Sequence, residues 1–200
     1  MSTTIHGDDK RQKTVRPGGC ESTEMIFTES KLKGVYIIEL ERFEDERGFF
    51  APSFSQREFE ARGLVGGFVE NNVSYNRRRG TLRGLHYQAA PYGQTKLVRC
   101  TRGSIFDVAV DLRPTSATFK QWVGVRLTQE NRLMLYLPGV VAHGFQALED
   151  DTEVFYQVSE VYTPEASRGY PWNDPAFDIN WPLPDERILN KRDEGYPRFK

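Results

Sequence analysis

Histidine is scarce in this chain of 200 residues: there are three, His6, His86 and His143. A three-histidine metal cage would need His6, which stands in a polar N-terminal stretch; a pair acting on an organic substrate needs only His86 and His143. Cysteine is scarcer, with Cys20 near the N-terminus and Cys100 inside an apolar alternation. Two such residues make no disulfide framework and suggest a reducing compartment, with Cys100 a small core residue rather than a nucleophile. No apolar run approaches the roughly 20 residues that span a bilayer, and the N-terminus lacks the apolar stretch of a secretory signal, so a soluble, cytoplasmic protein is expected. Charge of one sign is lacking too: 27 basic and 28 acidic residues leave a net −1. No global field favours nucleic acid or an anionic membrane, and any anion must be held by local arginines and lysines.

What is present is β-structure. Residues 1–24 read as a flexible polar tail, and 25–200 as one domain, because this length with 38% hydrophobic residues supplies one sizeable core. Short runs with period-two alternation and β-branched or aromatic residues predict strands over 35–40, 81–88, 96–101, 104–113, 122–128, 132–137, 144–148 and 153–162. Two pairs read as hairpins, one turning at Arg102-Gly103 and one near Gln129–Asn131. One helix is expected, from Ser55 to Arg62, with Ser55 as cap and Phe59 as anchor. This all-β pattern favours a sandwich or jelly-roll barrel over about 32–163, with the Pro- and Trp-rich segment 164–200 packed over it.

Strand parity sorts the polar candidates. In 105–113 the apolar Phe106, Val108, Val110 and Leu112 share one face, leaving Asp107, Ala109, Asp111 and Arg113 on the other, which faces either a cavity or solvent. Lys96 shares a face with Val98 and Cys100 and so points inward at the end of an apolar row. Tyr156 lies with Val154 and Val158, a phenol on the buried side. Arg83 and His86 point to opposite faces unless a bulge intervenes, and Gly84 makes a bulge plausible.

Five segments in this order resemble the dTDP-4-dehydrorhamnose 3,5-epimerase family: Arg83-Gly-Leu-His-Tyr-Gln88, Lys96-Leu-Val-Arg-Cys100, Gly103 to Arg113, Pro138-Gly-Val-Val-Ala-His-Gly-Phe145 and Trp172-Asn-Asp-Pro175. The resemblance runs from about Leu32 to Pro197. It implies a cupin-type jelly roll, a homodimer, and epimerisation of a nucleotide-linked 4-keto-6-deoxyhexose without metal or other cofactor. Metal-binding cupins share a paired His-x-His and a third histidine on a later strand; here His86 is followed by Tyr87-Gln88, and two histidines with no neighbouring Glu in register make a poor divalent site.

The resemblance also implies residue roles. His86 is the base, oriented by Asp193; Tyr156 is the acid on the opposite face of the sugar. Lys96 and His143 donate to the C4 oxygen, and Asp107 holds Lys96. Arg47, Arg83 and Arg192 contact the nucleotide sugar, Tyr162 stacks on the base, and Asn72 makes a polar loop contact. Part of the nucleotide site comes from the second subunit. Three positions depart from the family pattern, Pro52, Val73 and Ser167, all in binding loops and bearing on base or sugar preference. Competing readings are an epimerase of C3 alone or of a related deoxysugar, a non-catalytic nucleotide-sugar-binding cupin, and a metal-dependent cupin oxygenase.

Overall fold

A computed structural model describes residues 24–200; His6, Cys20 and the rest of the tail up to residue 23 lie outside the described residues. Thirteen strands follow in chain order: β1 (Ile26–Glu29), β2 (Tyr36–Glu39), β3 (Phe43–Asp45), β4 (Gly48–Phe50), β5 (Glu70–Asn76), β6 (Leu82–Gln88), β7 (Lys96–Arg102), β8 (Ser104–Asp111), β9 (Trp122–Thr128), β10 (Met134–Leu137), β11 (Val141–Ala147), β12 (Thr152–Val158) and β13 (Ser167–Gly169). Helix α1 (Gln56–Glu60) lies between β4 and β5, and α2 (Lys191–Glu194) near the C-terminus. The strands form a six-stranded sheet, β1-β2-β10-β7-β12-β5, a five-stranded sheet, β13-β6-β11-β8-β9, and the β3–β4 ribbon. The fold is all-β, a cupin-type jelly roll.

The inward faces of the two large sheets meet in a common core of Val98, Cys100, Ile105, Ala109, Leu127, Leu135, Phe145 and Val154. Fully burying each large apolar side chain there contributes about 1.5–3 kcal/mol. Burial pushes the Cys100 thiol up to about 12, which leaves it protonated and inert. The β8 face carrying Asp107, Ala109 and Asp111 is fully buried, so its reading as a solvent face is excluded. The opposite β8 face, with Val108 and Val110, is covered by Phe177 and Trp181 from the C-terminal segment. Phe59 of α1 caps the outer side of the six-stranded sheet against Ile38, Leu97 and Met134. Ser55 stands at the α1 N-terminus, but its side chain makes no capping hydrogen bond.

Neither expected hairpin is one. β7 pairs with β10 and β12, whereas β8 pairs with β11 and β9, so the turn at Arg102-Gly103 carries the chain from one sheet to the other. β9 and β10 likewise belong to different sheets. Local turn chemistry is the same for a hairpin and a sheet-to-sheet corner; which forms depends on what the strands pack against. The Asn-rich β5 was not expected as a strand, since Asn is disfavoured there; it forms as an edge strand paired to β12 along its whole length.

Candidate active site

The middle of the five-stranded sheet places one row of side chains side by side. Gly169 on β13 is opposite His86 on β6, His86 is opposite His143 on β11, and His143 is opposite Ala109 on β8. Directly opposite residues share a face, so His86 and His143 both look into the interior. Two steps along β11, from His143 to Phe145, match three along β6, from His86 to Arg83. The extra residue is a bulge at Gly84, whose φ of +122° suits glycine. The bulge returns Arg83 to the face of His86, where it bonds the Asn76 side chain at 2.8 Å and the Tyr75 carbonyl on β5.

His86 Nε2 lies 2.7 Å from Asp193 Oδ1. Asp193 is 1% exposed, and its second oxygen accepts from the Gly84 N–H at 3.1 Å. Its own N–H donates to the Asn190 side chain, which caps α2. Burial opposes the Asp193 charge, but the hydrogen bonds from His86 and Gly84 outweigh it and hold the carboxyl below its ordinary value. Burial pushes the imidazole of His86 below its ordinary value; Asp193 works against that shift, and the electrostatic influence of Lys96 and His143 reinforces it. With Nε2 engaged by a carboxylate, Nδ1 is the free nitrogen of a neutral imidazole.

The six-stranded sheet supplies the other wall. Tyr156 on β12 packs against the core beside Val154, and burial raises its phenol above the ordinary value, with Glu70 adding to the shift and Arg83 opposing it. Lys96 on β7 is only partly exposed, and desolvation brings its ammonium down to about 8 against the pull of Asp107. A cleft of about 270 Å³ lies between the walls, lined by His86, Lys96, Tyr156, Asn72, Tyr162 and Arg192 among the expected residues. Ser167, one of the departures from the family pattern, lines it too, as do Glu70, Tyr87, Gln88, Gln94 and Val158, which carry no site role in the sequence reading. Glu70 and Asn72 share a face because alternate residues of a strand do, a signal that becomes usable only once 70–76 is known to be β5.

Five expected residues lie off that lining. Asp193 sits behind His86. Asp107 does not hold Lys96: no ion pair joins them, and Asp107 Oδ1 instead lies 2.7 Å from His143 Nε2. The sheet change at Gly103 sets this pairing, since it puts Lys96 on one wall and Asp107 on the other, diagonal to His143 on the neighbouring strand. His143 is buried with Asp107, beside His86 in the row. Arg83 bridges β6 to β5. Arg47 stands on the β3–β4 turn with its side chain 85% exposed, paired among the described residues with Asp45 of the same turn. Of the departures, Val73 points outward from β5, Pro52 follows β4, and Ser167 alone is on the cleft wall, accepting from Arg192 Nη2 at 2.5 Å. Tyr162 is half-exposed at the rim, and hydrogen bonds from Ser167 and Arg192 hold its phenol below the ordinary value.

A His–Asp pair on one wall, a phenol and a lysine on the other, and Arg192 with an exposed tyrosine at the rim give the cleft groups able to exchange protons and to hold a polar, anionic ligand. A sequence model of the dTDP-4-dehydrorhamnose 3,5-epimerase family matches residues 29–200. A dTDP-4-dehydrorhamnose 3,5-epimerase of Sinorhizobium fredii is 43% identical over 180 residues, 90% of this chain and 92% of that protein. The crystal structure of the Bacillus anthracis enzyme of that name, with TDP and PPi bound, has a TM-score of 0.84 at 40% identity, covering 88% of this chain and 100% of the other. A 3'-monoepimerase from Streptomyces bikiniensis in complex with dTDP-quinovose has a TM-score of 0.78 at 34% identity over 84% of this chain and 85% of its own. The chain belongs to the dTDP-4-dehydrorhamnose 3,5-epimerase family, and the enzyme is an isomerase.

Proposed function

We propose that the protein inverts C3 and C5 of dTDP-4-dehydro-6-deoxy-D-glucose to give dTDP-4-dehydro-L-rhamnose. The observation that carries the mechanism is the placement of His86 and Tyr156 on opposite sheets across one cleft. The hydrogens on C3 and C5 flank the C4 ketone, so loss of either as a proton leaves an enolate with its charge on the C4 oxygen. His86, kept neutral by burial, takes the proton on one face, and Asp193 stabilises the imidazolium that results. Tyr156, whose raised pKa keeps its proton until an enolate demands it, delivers a proton to the other face and inverts the centre. Lys96 donates to the C4 oxygen as charge develops there. His143, tied to Asp107, adds a second donor or a polarising group beside His86.

Arg192 at the rim suits the diphosphate and Tyr162 the base. Arg47 is not among the residues lining this cleft; with Phe50, 69% exposed on the same ribbon, it suits a homodimer in which the ribbon completes the partner's site. Turnover of the 4-keto substrate in deuterated water tests the reading, with deuterium expected at both C3 and C5 of the product. Deuterium at C3 alone would assign the chain to the C3-only alternative, the activity named for the Streptomyces bikiniensis relative. Turnover retained by both His86→Ala and Tyr156→Phe, with the fold intact, would sink the acid–base assignment.

A further inference from the structure

The row that holds His86 has a gap. Its neighbour on one side, His143, carries a side chain; its neighbour on the other, Gly169, carries none. The ring of Tyr196 occupies that space. A Cβ on Gly169 would lie 2.5 Å from the Tyr196 ring carbons, so glycine is what admits the ring. Tyr196 meets His86 edge-on, with ring centroids 5.7 Å apart and planes at 64°. Its hydroxyl is buried without a well-formed hydrogen bond; Arg192 is the cation beside it, with its guanidinium 5.8 Å from the ring centroid. Tyr196 follows Asp193 by three residues, so one short C-terminal segment brings both the carboxylate on Nε2 and the ring at the flank of His86.

We propose that Tyr196 is a positioning residue for His86: its ring stands in for the side chain missing at Gly169, fixes the imidazole plane and keeps water from its flank. The inference rests on the reading of His86 as the base. Its physical content is that an edge-to-face aromatic neighbour restricts the imidazole ring, while an apolar flank disfavours the charged imidazolium. The ring, not the hydroxyl, does this, because it is the ring that meets the imidazole. The charged and titratable groups acting on His86 are Asp193 from the α2 segment, Lys96 from β7 and His143 from β11; Arg192 acts on Asp193 and touches the Tyr196 ring, and Tyr196→Phe keeps that ring contact.

The test is an NMR titration of the imidazoles of the full chain, with turnover measured on the same preparations. Three histidines make the His86 signals assignable against a His86→Ala spectrum. In Tyr196→Ala, water reaches the flank and the His86 midpoint rises by about half a unit or more. Its kcat falls on the order of 10- to 100-fold through loss of orientation, with KM within about twofold. Tyr196→Phe keeps the wild-type midpoint and kcat. If Tyr196→Ala does not fold, Tyr196→Leu, which keeps an apolar flank without a flat ring, is expected to keep the midpoint and still lose kcat on the order of 10-fold. An unchanged midpoint and kcat in the folded variant, or a Tyr196→Phe as impaired as Tyr196→Ala, overturns the proposal. Turnover retained in His86→Ala counts against the base assignment alone, because the titration reads the imidazole ring without reference to turnover.

Discussion

Asp193 lies 107 residues from His86 in sequence and 2.7 Å from it in space. Each partner alters the proton affinity of the other, and the direction can be tested. Asp193→Asn removes the group that favours the imidazolium and leaves burial, Lys96 and His143 to depress it further. The acidic limb of the kcat/KM profile, already below the ordinary imidazole value of 6.5 in the wild type, should move lower still, with kcat reduced on the order of 10²–10⁴. Because the folded-state affinity of His86 is depressed, its contribution to stability is present above 6.5 and is lost as pH falls below that value. Lys96 has the same sign in another window. With its ammonium at about 8 in the fold against 10.5 in the unfolded chain, stability rises between those values, and below about 8 the desolvated charge costs stability. Lys96→Met should therefore lose most turnover yet raise Tm at neutral pH by a few degrees, at roughly 2–4 °C per kcal/mol for a chain this size; a differential-scanning trace beside an assay checks both. At this scale His86, Tyr156 and Lys96 were legible, because parity and motif act along the chain. Asp193 was reached through the family resemblance alone, since an aspartate in a polar C-terminal stretch carries no local mark of burial.

Gly84 and Gly103 do more for the site than their size suggests, because each redirects a strand. A Cβ on Gly84 would lie 2.5 Å from the Gly144 Cα and 2.8 Å from the His143 carbonyl oxygen, both backbone, and the residue's φ is positive. Gly84→Ala should push β6 from β11, costing more than about 2 kcal/mol in urea unfolding and scattering the His86–His143 row, so that activity falls even where the chain still folds. At Gly103 the chain changes sheets, and that change pairs Asp107 with His143 instead of Lys96. The expected strands at β6, β7, β8, β9 and β10 formed within a few residues of their predicted bounds, since alternation is a local signal. The hairpins did not, because partner choice is set by which faces can be buried together. The C-terminal segment acts as an element of the same kind. Trp181, 6% exposed, packs on the outer face of the five-stranded sheet with Val108 and Val110. Trp181→Ala should destabilise by about 3–5 kcal/mol, and by loosening the segment that carries Asp193 it should lower kcat before it abolishes folding.

For the whole molecule the proposed homodimer makes a prediction that neither chain alone can meet. If the ribbon bearing Arg47 completes the partner's cleft, Arg47→Ala and His86→Ala are each impaired, yet refolding them together restores activity. A mixed dimer keeps one native site of two, so random pairing recovers about a quarter of the native sites. No recovery, or a monomer in sedimentation, would remove the partner's ribbon from the site. The sequence by itself determined the all-β class, the alternation that turns Tyr156 and Lys96 inward, the glycine that lets β6 bulge, and the family whose motifs the chain carries, because each of these is written in residue order over a short span. Only the tertiary structure decided that Asp193 is buried against His86, that Asp107 serves His143, and that Tyr196 fills the place left by Gly169. Those pairings join strands and segments far apart in sequence, and they follow from which surfaces exclude water together, a property of the assembled sheets and of no single stretch of chain.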